Sequence, residues 1–126
     1  MPVLRSFRDL IVYKRSVRAA RSVFEMSRGF PADERFSLTD QVRRSSRAVG
    51  AMLAEAWAKR RYRASFISKV NDALGEAMET QSWLDHALCC KYIDRATYNK
   101  HDDEWQQIGA MLNGMIEEAD SFCRVA

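Results

Sequence analysis

Proline is scarce in this chain, at two residues, and glycine is limited to five among 126. An all-β protein of this size needs a turn about every 10 residues, so that class is excluded. Three cysteines, two of them adjacent, form an odd set that suggests no disulfide framework. A reducing cytoplasm is therefore the expected compartment. No apolar run approaches ~18 residues, so neither a transmembrane helix nor a membrane partner is expected. The opening stretch MPVLRSFRDLIVYKR lacks the apolar core and small-residue cleavage site of a signal peptide.

Catalytic groupings are missing as well. The sequence contains no P-loop, no Gly-x-Gly-x-x-Gly and no nucleophile elbow. Glu76, Glu79 and Asp85 make no acid–base pair, because carboxylates at this spacing are ordinary on a helix surface. Neither His86 nor His101 has a Glu three residues before it, which removes the Glu-x-x-His pairs of a di-iron bundle. His86 and Cys90 stand one helical turn apart with Cys89 between them, yet Cys123 falls at the far end of an antiparallel bundle. Buried thiols and a capping histidine are the expectation, with no metal, no cofactor and no enzymatic activity.

What the chain does have is helical periodicity throughout. One domain over residues 1–126 is expected, an all-α, antiparallel, up-and-down four-helix bundle with short connections. The first helix is predicted from about Phe7 to Arg28, with Ser6 as its N-cap and Asp9 in its first turn. Its buried stripe reads Leu10, Tyr13, Val17, Ala20 and Phe24. Gly29 supplies the stop, with Pro31 beyond it. The second helix starts near Ser37 or Thr39 and runs to about Lys59, burying Val42, Ser45, Val49, Met52, Leu53, Ala56 and Trp57. Its small residues, among them Ser46, Gly50 and Ala51, would let another helix approach closely. The third runs from about Ala64 to Lys91 on Phe66, Val70, Ala73, Leu74, Ala77, Gln81, Leu84 and Leu88. The fourth follows Asp94, a good N-cap, to about Phe122 on Trp105, Ile108, Leu112, Met115 and Ala119. Trp57, Trp83 and Trp105 read as core or interface.

Charge is unevenly divided. Residues 1–70 carry sixteen Lys or Arg against six acids, and residues 71–126 carry four against eleven, giving balances of +10 and −7. Either the two halves attract each other, within the fold or across subunits, or one face is basic enough to meet an anionic polymer. Lys14, Arg18 and Arg21 share one face of the first helix. Arg43, Arg44 and Arg47 would form a compact guanidinium patch suited to phosphate oxygens, or would pair with Glu55, with the acidic line Asp72–Glu76–Glu79, or with a neighbouring subunit. Lys59, Arg60, Arg61 and Arg63 follow at a helix C-terminus, where cations also suit the dipole, and the interleaved Tyr62 would stack on a base or ribose.

Four segments in order carry a family resemblance: FRDLIVYKRS at 7–16, FPADERFSLTDQVRRSS at 30–46, ALGEAMETQSWL at 73–84 and IGAMLNGMI at 108–116. With Phe30, Pro31, Glu34, Leu38, Thr39, Gln41, Arg43 and Arg44 in place, the chain resembles the bacterial four-helix-bundle proteins encoded in intervening sequences of large-subunit ribosomal RNA genes. It departs from them between 47 and 58, at Arg47, Gly50, Met52, Ala56 and Ala58, while Glu55 matches. The resemblance implies a closed homopentamer. It also implies similarity to the accessory proteins of diversity-generating retroelements, basic pentamers that bind nucleic acid and a reverse transcriptase. The resulting expectation is a non-enzymatic oligomer that binds RNA or DNA mostly through the phosphate backbone. Its contacts would be Lys14, Arg18, Arg21, Arg43, Arg44, Arg47, Lys59, Arg60, Arg61 and Arg63. The alternative is a homo-oligomeric scaffold that recruits a protein and no nucleic acid.

Overall fold

Four long helices, α1 (Ile11–Ser27), α2 (Leu38–Ala58), α3 (Arg63–Cys89) and α4 (Arg95–Glu117), are followed by one short turn, α5 (Ala119–Phe122). They are seen in a computed structural model, which describes residues 3–123. Cross-helix pairings fix their directions. Ser27 meets Arg43 while Tyr13 meets Gly50, Arg44 meets Glu76 while Glu55 meets Lys69, and Gln81 meets Asp102 while Arg63 meets Asp120. Each pair of sequence neighbours is therefore antiparallel, and the expected up-and-down bundle is the observed one. The α2–α3 seam is the most extensive and the α1–α4 seam the least.

The core is built from the four facing stripes. Val23, Val42, Val49, Leu53, Phe66, Val70, Leu84, Trp105, Ile108 and Leu112 are all essentially inaccessible to solvent. Each large side chain so buried contributes about 1.5–3 kcal/mol. The tight α2–α3 seam follows from small residues. Ala73 and Ala77 of α3 are fully buried, as is Ser45 of α2, whose hydroxyl lies 2.8 Å from that of Thr80. The Thr80 hydroxyl also donates to the Glu76 carbonyl at 2.9 Å, so no bare hydroxyl is left in this seam. Trp105 is different: its indole N–H is buried without a partner.

Helix ends agree with their chemistry, with three corrections. Ser6 and Asp9 do form a capping box, but it caps a single 3-10 turn, Phe7–Asp9. Leu10 then adopts an extended conformation, φ −65° and ψ 126°, so α1 begins at Ile11 rather than at Phe7. Gly29 does follow the end of α1, but it stops the helix without a left-handed turn, since no glycine among the described residues has positive φ. Lys91 takes that conformation instead, at the end of α3, with φ 63°. Thirdly, the fourth helix breaks at Glu118 and resumes as α5, whose Phe122 stacks on Phe66 at 5.9 Å. Asp94 caps α4 as expected, accepting from the Thr97 N–H at 2.8 Å.

The buried face of α1 also differs from the sequence reading. Val12, Ser16, Ala19, Ala20, Val23 and Ser27 face the core, while Tyr13 and Phe24 are half-buried and Val17 is 49% exposed. Small side chains occupy the core line because α2 packs close to it. The larger apolar residues are displaced to its flank, where they wall a groove.

Candidate nucleic-acid interface

The arginines of α2 part company. Residues 43 and 47 are separated by one turn and lie about 40° apart around the helix, whereas 44 is ~100° from 43. Arg43 turns toward α1, donating from Nε to the Ser27 hydroxyl at 2.7 Å. Its guanidinium lies 4.5 Å from the centre of the Phe24 ring, and that of Arg47 lies 5.4 Å from the same centre. Arg44 turns the other way, toward α3, where it meets Glu76 at 3.5 Å and Glu79 more closely. The compact three-arginine patch is therefore divided. Two members frame an aromatic ring, and the third realises the alternative pairing with the acidic line of α3.

The basic run after α2 is divided in the same manner. Arg63 donates from Nε to Asp120 at 2.6 Å. Arg60 lies 3.5 Å over the Trp57 ring and donates to the Trp57 carbonyl. Lys59, Arg61 and Tyr62 are exposed, Tyr62 at 63%. On α1, Lys14, Arg18 and Arg21 are all exposed.

Several residues outside the expected set belong to this electrostatic arrangement. Arg15 reaches α4, bonding Glu104 at 2.6 Å and the Gln107 side chain at 2.7 Å. The hydrogen bond to Glu104 raises the Arg15 pKa above its ordinary value. Lys69 meets Glu55 at 2.9 Å, which raises Lys69 and lowers Glu55. Phe24 was absent from the expected set because an aromatic at helical spacing reads as core. Only the structure shows Arg43 and Arg47 facing its ring, and that contact spans two helices.

Between α1 and α2 runs an open groove of ~480 Å³, walled by Tyr13, Val17, Phe24 and Arg21 and floored by Gly50 and Ala51. A second groove, on the α1–α4 seam, is lined by Arg18, Lys100, His101 and Trp105. Burial, with Lys100 adding to it, lowers the His101 pKa. At the end of α3, Cys89 and Cys90 are exposed rather than buried. They fall off the Leu84–Ala87 line that faces the core.

The family profile described as 23S rRNA-intervening sequence protein matches residues 8–114. A crystal structure of a protein of unknown function from the S23 ribosomal protein family of Bacteroides thetaiotaomicron shares the fold, with a TM-score of 0.76 at 30% identity. The similarity covers 84% of this chain and 98% of that one. Comparison with curated proteins gives no match. Among the described residues, no helix is long and apolar enough to cross a membrane.

Proposed function

Starting from the fact that the chain belongs to the family of 23S rRNA-intervening sequence proteins, we propose that it is a non-enzymatic, homopentameric, RNA-associated accessory protein of the cytoplasm. It binds the nucleic-acid backbone through the outer surfaces of α1 and α2 and the turn that follows α2. The observation that carries this reading is a surplus of exposed cations outside ion pairs. Lys14, Arg18, Arg21, Arg47, Lys59 and Arg61 are exposed and make no ion pair among the described residues. The acids of the C-terminal half that form ion pairs meet Arg15, Arg44, Arg63 and Lys69 instead.

Each phosphate neutralised by such a cation releases condensed counterions, so binding weakens steeply with salt. A five-fold ring repeats the cation set around its axis and converts weak contacts into avidity. Contacts of this type position a backbone and carry little sequence information. Filter binding of mixed-sequence RNA tests the reading. Salt-sensitive retention is expected, and it should fall sharply when Arg18 and Arg21 are both changed to Glu. Absence of retention at low salt contradicts the reading and favours a protein-recruiting scaffold. For that alternative, the relevant surface feature is Phe36, 85% exposed in the loop before α2.

A further inference from the structure

The backbone-binding reading leaves the α1–α2 groove without a role. Its shape and chemistry are specific. The Tyr13 and Phe24 rings that wall it lie three helical turns apart on α1, ~16 Å along the axis. Both rings are held in place. Tyr13 packs edge-on against Phe7 at 4.9 Å, and Arg43, itself anchored on Ser27, lies over one face of the Phe24 ring. The floor is shallowly built from Gly50 and Ala51, and a side chain at position 50 would come within 3.4 Å of the Tyr13 ring. Arg21 and Arg47 stand at the groove without ion-pair partners. The single acid lining it, Glu25, faces Arg28 at 3.6 Å.

We infer that this groove seats unpaired bases of a single-stranded nucleic acid, flat against Phe24 and Tyr13, while Arg21 and Arg47 grip the adjoining phosphates. The inference rests on the nucleic-acid reading above and adds to it a class of ligand: single strand in preference to duplex. Apolar walls with rigid aromatic faces and a cationic rim are the elements of a sequence-tolerant single-strand platform. A volume of ~480 Å³ falls in the range of small-ligand clefts and excludes a helix of stacked base pairs. Bases held in a duplex present only their edges, so they cannot reach the ring faces.

The test is fluorescence anisotropy with a labelled single-stranded RNA and with the same strand annealed to its complement, at fixed low salt. Wild-type protein should prefer the single strand. Ala51→Trp fills the groove from an exposed position and removes none of the cations. It should weaken single-strand binding on the order of tenfold and leave duplex binding unchanged. Phe24→Leu, which keeps apolar bulk but removes the stacking face, should act in the same direction. Circular dichroism and light scattering should show both variants folded and of unchanged mass. Single-strand affinity unaffected by both substitutions, in a protein that still binds RNA, overturns the groove assignment while the backbone reading stands. Loss of oligomer mass in Ala51→Trp overturns it differently, by showing that a second copy of the chain occupies the groove. A wild-type protein that binds neither RNA removes both readings together.

Discussion

The Tyr92 hydroxyl donates a 2.8 Å hydrogen bond to the Glu34 carboxylate, tying the α3–α4 turn to the loop that leads into α2. The same carboxylate accepts from the Ser37 hydroxyl at 2.6 Å and from the Leu38 N–H at 3.3 Å, where α2 begins. Glu34 thus holds three segments at one end of the bundle. These bonds, led by the one from Ser37, keep its pKa below the ordinary 4.5. Conversely, the hydrogen bond to this carboxylate, with partial burial and its negative charge, pushes Tyr92 up from 10.0 to about 12.

The pH consequence follows with opposite signs at the two ends. A depressed carboxylate stabilises the fold above its ordinary pKa, and that contribution is lost as pH falls below 4.5 toward the folded value. A raised phenol stabilises the fold below its ordinary pKa of 10.0, and that contribution is lost as pH rises through about 12. In a spectrophotometric titration of the native protein, two phenols should ionise near 12. They are Tyr92 and Tyr98, the latter bonded to Asp85 at 2.6 Å. Tyr92→Phe should remove one of them and flatten the alkaline loss of thermal stability above pH 10. An unchanged phenol count near 12 in that variant contradicts the bond.

Arg44 and Arg47 should separate stability from binding. Arg44→Ala breaks contacts with Glu76 and Glu79 across α2–α3, and its own side chain is 48% exposed. The expected loss is about 0.5–1 kcal/mol, read as a few degrees in Tm, with RNA affinity unchanged or slightly higher. Arg47→Ala should do the opposite, leaving Tm in place and lowering both RNA affinity and its salt slope. Equal effects of the two substitutions on RNA binding would contradict the division of the arginine cluster.

Lys91 occupies the left-handed position after α3. The Lys91 N–H bonds the Leu88 carbonyl and the Tyr92 N–H bonds the Ala87 carbonyl, both at 2.9 Å. This double bond pattern is the Schellman ending usually given to glycine. A non-glycine residue there costs roughly 1–2 kcal/mol, offset in part by the larger backbone entropy glycine loses on folding. Lys91→Gly is expected to raise stability by about 1 kcal/mol in a denaturant melt. A clear loss of stability contradicts the assigned backbone conformation.

The helix pattern was legible in the sequence because periodic apolar residues and strong caps coincide. Leu38–Ala58 begins between the expected Ser37 and Thr39, and Asp94 caps α4 as read. Legibility failed where size and burial part company. On α1 the large residues Tyr13, Val17 and Phe24 mark the stripe by hydropathy, yet Ser16, Ala19 and Ser27 fill the core line. Hydropathy does not register the closeness of α2, which decides that small side chains go inside. The break at Leu10 was hidden because its side chain is buried at the right period while its backbone is extended. For the candidate interface, the exposed cations of α1 are visible from composition and spacing. The partners that separate Arg44 from Arg43 and Arg47 belong to two other helices, so no local pattern announces them.

On the proposed reading, an oligomeric ring of this chain carries nucleic acid on its exposed cations. Size-exclusion chromatography coupled to light scattering, run with and without a fluorescent mixed-sequence RNA at low and high salt, decides it. The predicted result is a species near five chains in mass that co-elutes with RNA at low salt and releases it as salt rises. A species of any mass that leaves the RNA unbound at low salt would contradict the claim.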